Sequence, residues 1–272
     1  MTDWTVAIRS YNKADILKTH TLETLKRGNV PLDRILVFVA NEEEQGTYDS
    51  VLQSQVKTVV GIRGVKEIDN FITDYFEEGQ QYILMDDDVS SIEFITERYN
   101  PKSATPATDL PSLFDYAFEV CKKFGGLSWS CTDITNRMFQ ASYPFCRIVP
   151  KFLIGAMSGF INHKDTRITL GPVDDWERTG LEITRMGAIA YFGRFLVKHE
   201  VGKGTEAPVD CEKELLEKFP SLFKEAKRDM RFSVALRNCI SIKKAFPREY
   251  FETTENWSHD FVSYRPGRVV LD

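Results

Sequence analysis

At 272 residues, with 42% hydrophobic and 28% charged residues, the chain can bury a substantial core, which excludes a disordered polymer and leaves one large α/β unit or two smaller ones. Its formal net charge of -5, from 40 acidic and 35 basic residues, excludes a uniformly basic polyanion binder but leaves room for a local basic face. No apolar run reaches the ~20 residues of a membrane helix, and "MTDWTVAIRSYNK" lacks the basic-then-apolar order of a secretory signal, so a cytoplasmic location is expected. The five cysteines, Cys121, Cys131, Cys146, Cys211 and Cys239, are odd in number and widely spaced, and read as reduced packing thiols.

In chain order, "WTVAIRSYN" (4–12) reads as a strand running into a polar turn, and "DILKTHTLETLKRG" (15–28) as a helix closed by Gly28. "RILVFVA" (34–40) is a continuous aliphatic run suited to a strand covered on both faces, and it gives way at once to "NEEE". "VKTVVG" (56–61) is a third strand, "VKEIDNFITDYFEEG" (65–79) an amphipathic helix stopped by Gly79, and "QYILM" a fourth strand. Short apolar runs alternating with helices predict a parallel sheet with helices on both sides, and such sheets bind ligands outside the carboxyl ends of their strands.

"PKSATPATDLPS" (101–112) reads as an exposed loop, "LFDYAFEVCKKFGG" (113–126) as a helix, "LSWSCTD" and "FCRIVPKFLIGAMSGFINH" as strands, and "DDWERTGLEITRMGAIAYF" (174–192) as a helix opened by acids. "CEKELLEKFPSLFKEAKRDM" (211–230) reads as helical on either side of Pro220. The expected organisation is a core over residues 1–205, with halves 1–95 and 96–205, and a helical extension over 206–272 packed on it.

The chemistry concentrates in "QYILMDDDVS" (81–90). Three aspartates at a strand end repel one another unless a cation sits among them, and a hard divalent ion with oxygen ligands, Mg²⁺ or Mn²⁺, is one solution. Asp86 and Asp88, two apart in an extended segment, could converge on one ion while Asp87 turns toward a sugar hydroxyl or a helix N-terminus. The alternative is that the triplet caps a following helix, "SSIEFITERY".

The order strand-"RSYN"-helix, strand-"ANEEE", strand-"IRGVKEIDN"-helix, "YILMDDDV" resembles the GT-A glycosyltransferases, α/β enzymes with a Rossmann-like, mostly parallel central sheet, whose nucleotide-sugar half ends in a D-x-D. By that resemblance Arg9, Ser10 and Tyr11 would lie against base and ribose, Glu42 would meet the base or ribose, and Arg63 with Asn70 would line the base and phosphate pocket. Asp86, Asp87 and Asp88 would face the donor sugar and the metal, with His199 of "LVKHEVGKG" as third metal ligand and Lys198 and Lys203 available for phosphate. His199 has a plain reading as a strand-end residue beside this one. Asp175, with Asp174 second, matches the acidic helix start where inverting members keep their general base, although plain helix capping would use the same residues.

More narrowly, "RSYNKADILKTHTLETLK", "VFVANEEE", "GIRGVKEIDNFI", "ILMDDDV", "GPVDDWE" and "KHEVGKG" resemble the TET/JBP-associated glycosyltransferases, a family that includes the base J glucosyltransferase and phage enzymes. This implies transfer from a UDP-sugar to the hydroxymethyl oxygen of 5-hydroxymethylcytosine or 5-hydroxymethyluracil in DNA, in the host cytoplasm if the chain is encoded by a bacteriophage; a carboxylate base suits inversion, and retention stays open. An extruded base needs backbone cations and aromatic neighbours, for which Arg137, Arg147, Lys151, Lys164 and Arg167, interleaved with Phe139, Tyr143 and Phe145, are the candidates. The acidic total charge counts mildly against tight non-specific DNA binding. A GT-A enzyme acting on a protein, polysaccharide or small molecule is the alternative, and a catalytically silent binding module the third reading.

Overall fold

The computed structural model describes residues 3–199, 209–228 and 231–236, with side chains described as far as residue 225. The first half contains β1 (Trp4–Arg9), α1 (Ala14–Leu17), a π-helical turn (Lys18–Leu22), α2 (Glu23–Arg27), β2 (Ile35–Val39) and α3 (Glu42–Leu52). Then come β3 (Lys57–Val60), α4 (Val65–Tyr75), β4 (Gln81–Asp86) and β5 (Val89–Ile95). The second half contains β6 (Ala104–Pro106), α5 (Leu110–Phe124), β7 (Ser128–Thr132), α6 (Arg137–Ser142), β8 (Arg147–Val149) and β9 (Met157–Ile161). The described chain ends with α7 (Asp174–Met186), β10 (Ile189–His199), α8 (Val209–Lys218), β11 (Phe223–Arg228) and β12 (Arg231–Leu236).

Ten strands form one central sheet in the order β3-β2-β1-β4-β9-β7-β10-β5-β6, with β8 paired to β10. β3, β2, β1 and β4 run parallel, as do β7 and β10, while β9 lies antiparallel between β4 and β7. The expected α/β architecture, with a parallel first half and helices on both faces, is therefore present.

Side-chain alternation explains why the runs are apolar throughout. In β1, Trp4, Val6 and Ile8 enter one core with Ile83 and Met85 of β4 and Val37 of β2, while Ala7 enters another with Tyr82, Leu84 and Phe38. The first core is covered by α1, α2, α3 and α5, and the second by Ile68 and Ile72 of α4. A strand whose two faces are both dry cannot alternate with polar residues until it leaves the sheet. The polar residues that end β1 and β4 therefore mark the rim where water and ligand begin.

Four details differ from the sequence reading. "SSIEFITERY" is not a helix: Val89–Ile95 is β5, paired with β10 and β6, so the aspartates do not cap a helix there. The helix beginning at Asp174 stops at Met186 on Gly187, whose φ of 81° suits a left-handed C-terminal cap, and Ile189 opens β10. The loop 101–112 holds the short edge strand β6 and the first turn of α5. After Pro220 the chain is not helical but forms β11, because it pairs antiparallel with β12.

Residues 209–225 pack on the core through Leu215, Phe219, Leu222 and Phe223, which meet Val173 and Ile183 of the α7 region. Where β9 crosses β7, a Cβ added at Gly159 would fall 2.0 Å from Nε1 of the fully buried Trp129. Gly159→Ala is expected to lower unfolding free energy by about 1–3 kcal/mol in urea titration, through overpacking at that contact.

Candidate active site

A cleft of about 720 Å³ opens at the carboxyl ends of β1, β2 and β4, the size of an ordinary small-molecule site. Arg9, Ser10, Tyr11, Lys13, Arg63 and the triplet Asp86–Asp88 line it, together with Asp174 and an apolar strip of Val39, Ala40, Ile62, Val65 and Ile68. Tyr11 and Ile62 are exposed, and the Arg63 guanidinium lies 4.9 Å from the centre of the Tyr11 ring.

Alternation in β1 and β4 sorts the charges. Arg9 and Asp86 are register partners on adjacent parallel strands and share the face of Ala7 and Leu84, where α4 and α7 supply further acids. Arg9 Nε donates to Asp86 at 3.1 Å, and its NH1 donates to Asp69 of α4 at 2.9 Å and to Asp174 of α7 at 2.6 Å. Asp69, 1% exposed, also binds Arg178 of α7 at 3.3 Å. Burial works against the Arg9 charge, but the fields of Asp69, Asp174 and Asp86 exceed it and raise its pKa well above the ordinary value.

Asp86 behaves differently from a simple ion-pair partner. Burial raises its pKa, Arg9 pulls it down, and Asp88 and Asp174 push it up again, so the net direction is upward. Its carboxylate keeps unspent affinity for a further positive charge.

Asp87 turns to the other side, toward α3. Lys13 N–H donates to Tyr48 Oη at 3.0 Å and the Ser10 hydroxyl donates to Asp87 at 2.6 Å. The 2.6 Å contact between Tyr48 and Ser10 is thereby a bond donated by Tyr48. Lys13 Nζ binds Asp87 at 3.1 Å and reaches Asp88 at 3.6 Å. Asp88 thus lies in the turn near Lys13, within reach of Asp86 for its charge to act on that carboxyl, and its Oδ1 is buried with no hydrogen-bond partner among the described residues.

The turn is fixed from below by the π-helical segment. Thr21 donates to the Asp86 carbonyl at 2.8 Å and accepts from Val89 N–H at 3.0 Å, so one hydroxyl holds both ends of the acidic turn. Thr24 adds a bond to the Val89 carbonyl at 3.0 Å. One extra residue in a helical turn re-aims a side chain, and here it presents Thr21 to the turn.

Asp175 sits in the first turn of α7, with its own carboxylate accepting from Trp176 N–H at 2.8 Å. Burial, followed by the neighbouring Asp174 charge, raises its pKa to about 7 against the opposing pull of Arg9. It lines a small recess with Arg9, Asp69, Asp174 and Gly155, immediately beside the cleft.

Other sequence candidates are placed elsewhere. Glu42 is exposed at the start of α3, and the glutamate that reaches the cleft loops is Glu44, which accepts from Asn12 N–H at 2.7 Å and Ala40 N–H at 2.9 Å. Asn70 clasps Ile168 through both its amide groups and does not line the cleft. His199 ends β10 opposite Val89 across a bulge, and Lys203 lies outside the described residues. Arg137 and Lys198 both pair with Glu93, Arg167 with Asp74, Lys164 donates to the Asp74 carbonyl, and Phe145 is in the core.

Among the described residues no three His, Cys, Asp or Glu side chains form a ready-made metal group. The donor set nonetheless fits a hard ion that arrives with a diphosphate, because Mg²⁺ is commonly held by one or two carboxylates plus phosphate oxygens. The unpartnered Asp88 Oδ1 and Asp86, which Arg9 compensates only in part, supply such carboxylates.

No protein-family model matches the chain, and no curated protein matches it. Its fold is similar to that of many solved structures, of which three follow. Staphylococcus aureus TarS (residues 1–349) aligns over 72% of this chain at 9% identity with a TM-score of 0.45, and the match spans 59% of the TarS chain. Glucosyl-3-phosphoglycerate synthase from Mycobacterium tuberculosis, solved with Mn²⁺, UDP and glucosyl-3-phosphoglycerate, aligns over 87% of both chains at 10% identity with a TM-score of 0.42. The galactosyltransferase LgtC with donor and acceptor sugar analogues aligns over 67% of this chain and 65% of its own, at 10% identity and a TM-score of 0.37. Likeness of this size leaves the chemistry to be argued from the cleft.

Asp69→Asn removes the charge that holds Arg9 and Arg178 together at 1% exposure. Breaking a buried pair from one side is expected to cost about 3–5 kcal/mol, read as a lower midpoint in urea at unchanged slope.

Proposed function

We propose that the chain is a GT-A glycosyltransferase that uses a divalent ion and a UDP-sugar to glycosylate, with inversion, the hydroxymethyl oxygen of a modified pyrimidine in DNA. The observation that carries the reading is the pairing, across one cleft wall, of a partly uncompensated acidic turn with a carboxylate whose pKa is raised to about 7. An enzyme that moves a sugar from a diphosphate to a hydroxyl needs both: anionic ligands for the ion that accompanies the diphosphate, and a base matched to neutral pH.

The apolar strip of Val39, Ala40 and Ile68, with Tyr11 and Arg63 at its mouth, suits a flat uracil ring and its ribose. Asp86 and Asp88 would hold Mn²⁺ or Mg²⁺, with His199 as a further ligand, and Lys203 would meet the diphosphate. The bound ion would supply charge neutralisation on the departing diphosphate. Asp87, which lines the cleft and is fixed by Ser10 and Lys13, would meet the donor sugar's hydroxyls.

Asp175 would take the proton from the acceptor hydroxyl as that oxygen bonds to the sugar's anomeric carbon, while the bond from that carbon to the diphosphate oxygen breaks and UDP departs. Asp174, fixed by Arg9, keeps Asp175 basic through like-charge repulsion. Attack opposite the leaving group inverts the anomeric centre. In this scheme residues 1–95 bind the donor and 96–205 the acceptor, with 206–272 as an extension. The enzyme would act in the compartment that holds its DNA, the host cytoplasm for a phage-encoded chain.

Incubation of a hydroxymethylcytosine duplex and a hydroxymethyluracil duplex with a panel of UDP-sugars and Mn²⁺ tests the reading. Mass spectrometry should show one added sugar, abolished by EDTA and restored by Mn²⁺. No transfer from any donor to either duplex would sink the DNA acceptor, and transfer to a protein, glycan or small molecule would then identify the alternative.

Two variants separate the roles. Asp88→Asn should weaken Mn²⁺-dependent UDP binding by about tenfold or more, whereas Asp175→Asn should leave calorimetric UDP binding intact and lower turnover by roughly 10²–10⁴-fold. A base with a raised pKa is inactive while protonated, so the wild-type rate should climb with pH and level off above about 7, and this rise should be absent in Asp175→Asn.

A further inference from the structure

Most basic side chains of the second half are already engaged, Arg137 and Lys198 with Glu93 and Arg167 with Asp74. Arg147 and Lys151 differ. Neither forms an ion pair with a described carboxylate, and both are seated on aromatic faces. The Arg147 guanidinium lies 4.5 Å from the Tyr143 ring centre and 5.9 Å from that of Tyr191, and Lys151 Nζ lies 5.5 Å from Tyr191. The two tyrosines meet edge to face at 5.6 Å, so they form one platform carrying two cations.

The backbone explains the grouping. Arg147 and Tyr191 are directly opposed across the antiparallel β8–β10 pair, and Gly193 leaves the space that the Tyr143 ring fills, since a Cβ there would stand 2.6 Å from that ring. Arg147 Nε is buried with no hydrogen-bond partner among the described residues. The described residues therefore leave part of the guanidinium's hydrogen-bonding capacity unspent. Burial lowers the Lys151 pKa, and the Arg147 charge lowers it further, against the weaker pull of Asp133. Two like charges have been brought together, with neither ion-paired to a carboxylate among the described residues and Asp133 the one acid whose field reaches Lys151.

The cluster is connected to the cleft. Phe152, next to Lys151, packs on Trp176 at 4.5 Å, and Trp176 adjoins Asp175. Three residues further on, Gly155 faces Arg9, Asp86 and Asp175. The segment 151–155 thus runs from the cation pair to the base.

We propose that Arg147 and Lys151, on the Tyr143–Tyr191 platform, form an anion subsite that holds a phosphate group of the acceptor beside the reacting hydroxyl. The proposal rests on the glycosyltransferase reading for the position of that hydroxyl, and it names a chemistry that two acceptors share: a phosphodiester of nucleic acid and a small phosphate ester. The guanidinium supplies planar paired donors and the ammonium a point charge, the usual combination for phosphate.

Fluorescence anisotropy with a labelled short hydroxymethylcytosine duplex, over a salt series, tests it, alongside calorimetric UDP binding in Mn²⁺. Arg147→Gln/Lys151→Gln should weaken duplex binding by about tenfold or more and reduce the salt slope by about two, with UDP binding unchanged. Arg147→Lys/Lys151→Arg should restore most of the affinity. Should the double Gln variant lose UDP binding as well, the single Lys151→Gln carries the same test with a slope change of about one.

If the wild-type protein ignores the duplex, inorganic phosphate is titrated against the Tyr143 and Tyr191 ring resonances. Phosphate binding that disappears in the Gln variant keeps the subsite, assigns it to a small phosphate ester and overturns the DNA acceptor. Duplex affinity and salt slope that survive the double Gln exchange, or wild-type binding of neither probe, overturn the subsite, while UDP binding reports separately on the donor cleft.

Discussion

The Arg9 guanidinium is the point at which fold and chemistry meet. It ends a strand whose next neighbours are dry on both faces, and it is held at once by Asp86 of β4, Asp69 of α4 and Asp174 of α7. Elements that follow Arg9 at separations of 60, 77 and 165 residues are thereby locked to one planar cation, and Arg178 secures Asp69 from the opposite side. A lysine could not serve in this way, because a single ammonium does not present fixed donors in several directions within one plane. The same contacts set the local potential around Asp86 and Asp175, so the site's electrostatics cannot be altered without disturbing how α4 and α7 sit on the sheet.

The alternation of β1 and β4 gives the acidic triplet its division of labour. Asp86 belongs to the α4–α7 face, Asp87 belongs to the α3 side with Ser10, Tyr48 and Lys13, and Asp88 occupies the turn between. Repulsion among the three is met first by the protein's own cations, Arg9 and Lys13, rather than by an ion alone. What remains uncompensated is small and localised, at Asp86 and at one oxygen of Asp88. A charge distribution of this kind favours an ion that comes paired with phosphate over a free ion, since only the pair brings additional oxygens to complete the coordination.

The strands, the acidic turn and the acidic start of α7 were legible in the sequence because each rests on a local pattern: β-branched runs, a charged strand end, and acids after Gly-Pro. Asp69 was not, since one aspartate in an amphipathic helix looks solvated until Arg9 and Arg178 arrive from 60 and 109 residues away. Glu42 and Glu44 belong to three successive glutamates that are equivalent on paper, and only the pitch of α3 decides that Glu44 is the one that meets Asn12 and Ala40. Thr21 depended on a π-helical turn with no composition signal, and β11 on a pairing partner beyond Pro220. In each case the missing information was a long-range partner or a change of helical pitch.

Among the described residues the sheet that carries the cleft is open, with no strand beside the outer edge of β3 or of β6. At one side β6 is three residues long and ends in Pro106, which has no N–H to offer; at the other β3 is four residues long and begins with the exposed Lys57. Short edges of this kind offer a neighbouring molecule no long, flat ladder to extend, so a ten-stranded sheet is kept from templating edge-to-edge polymerisation by its own margins.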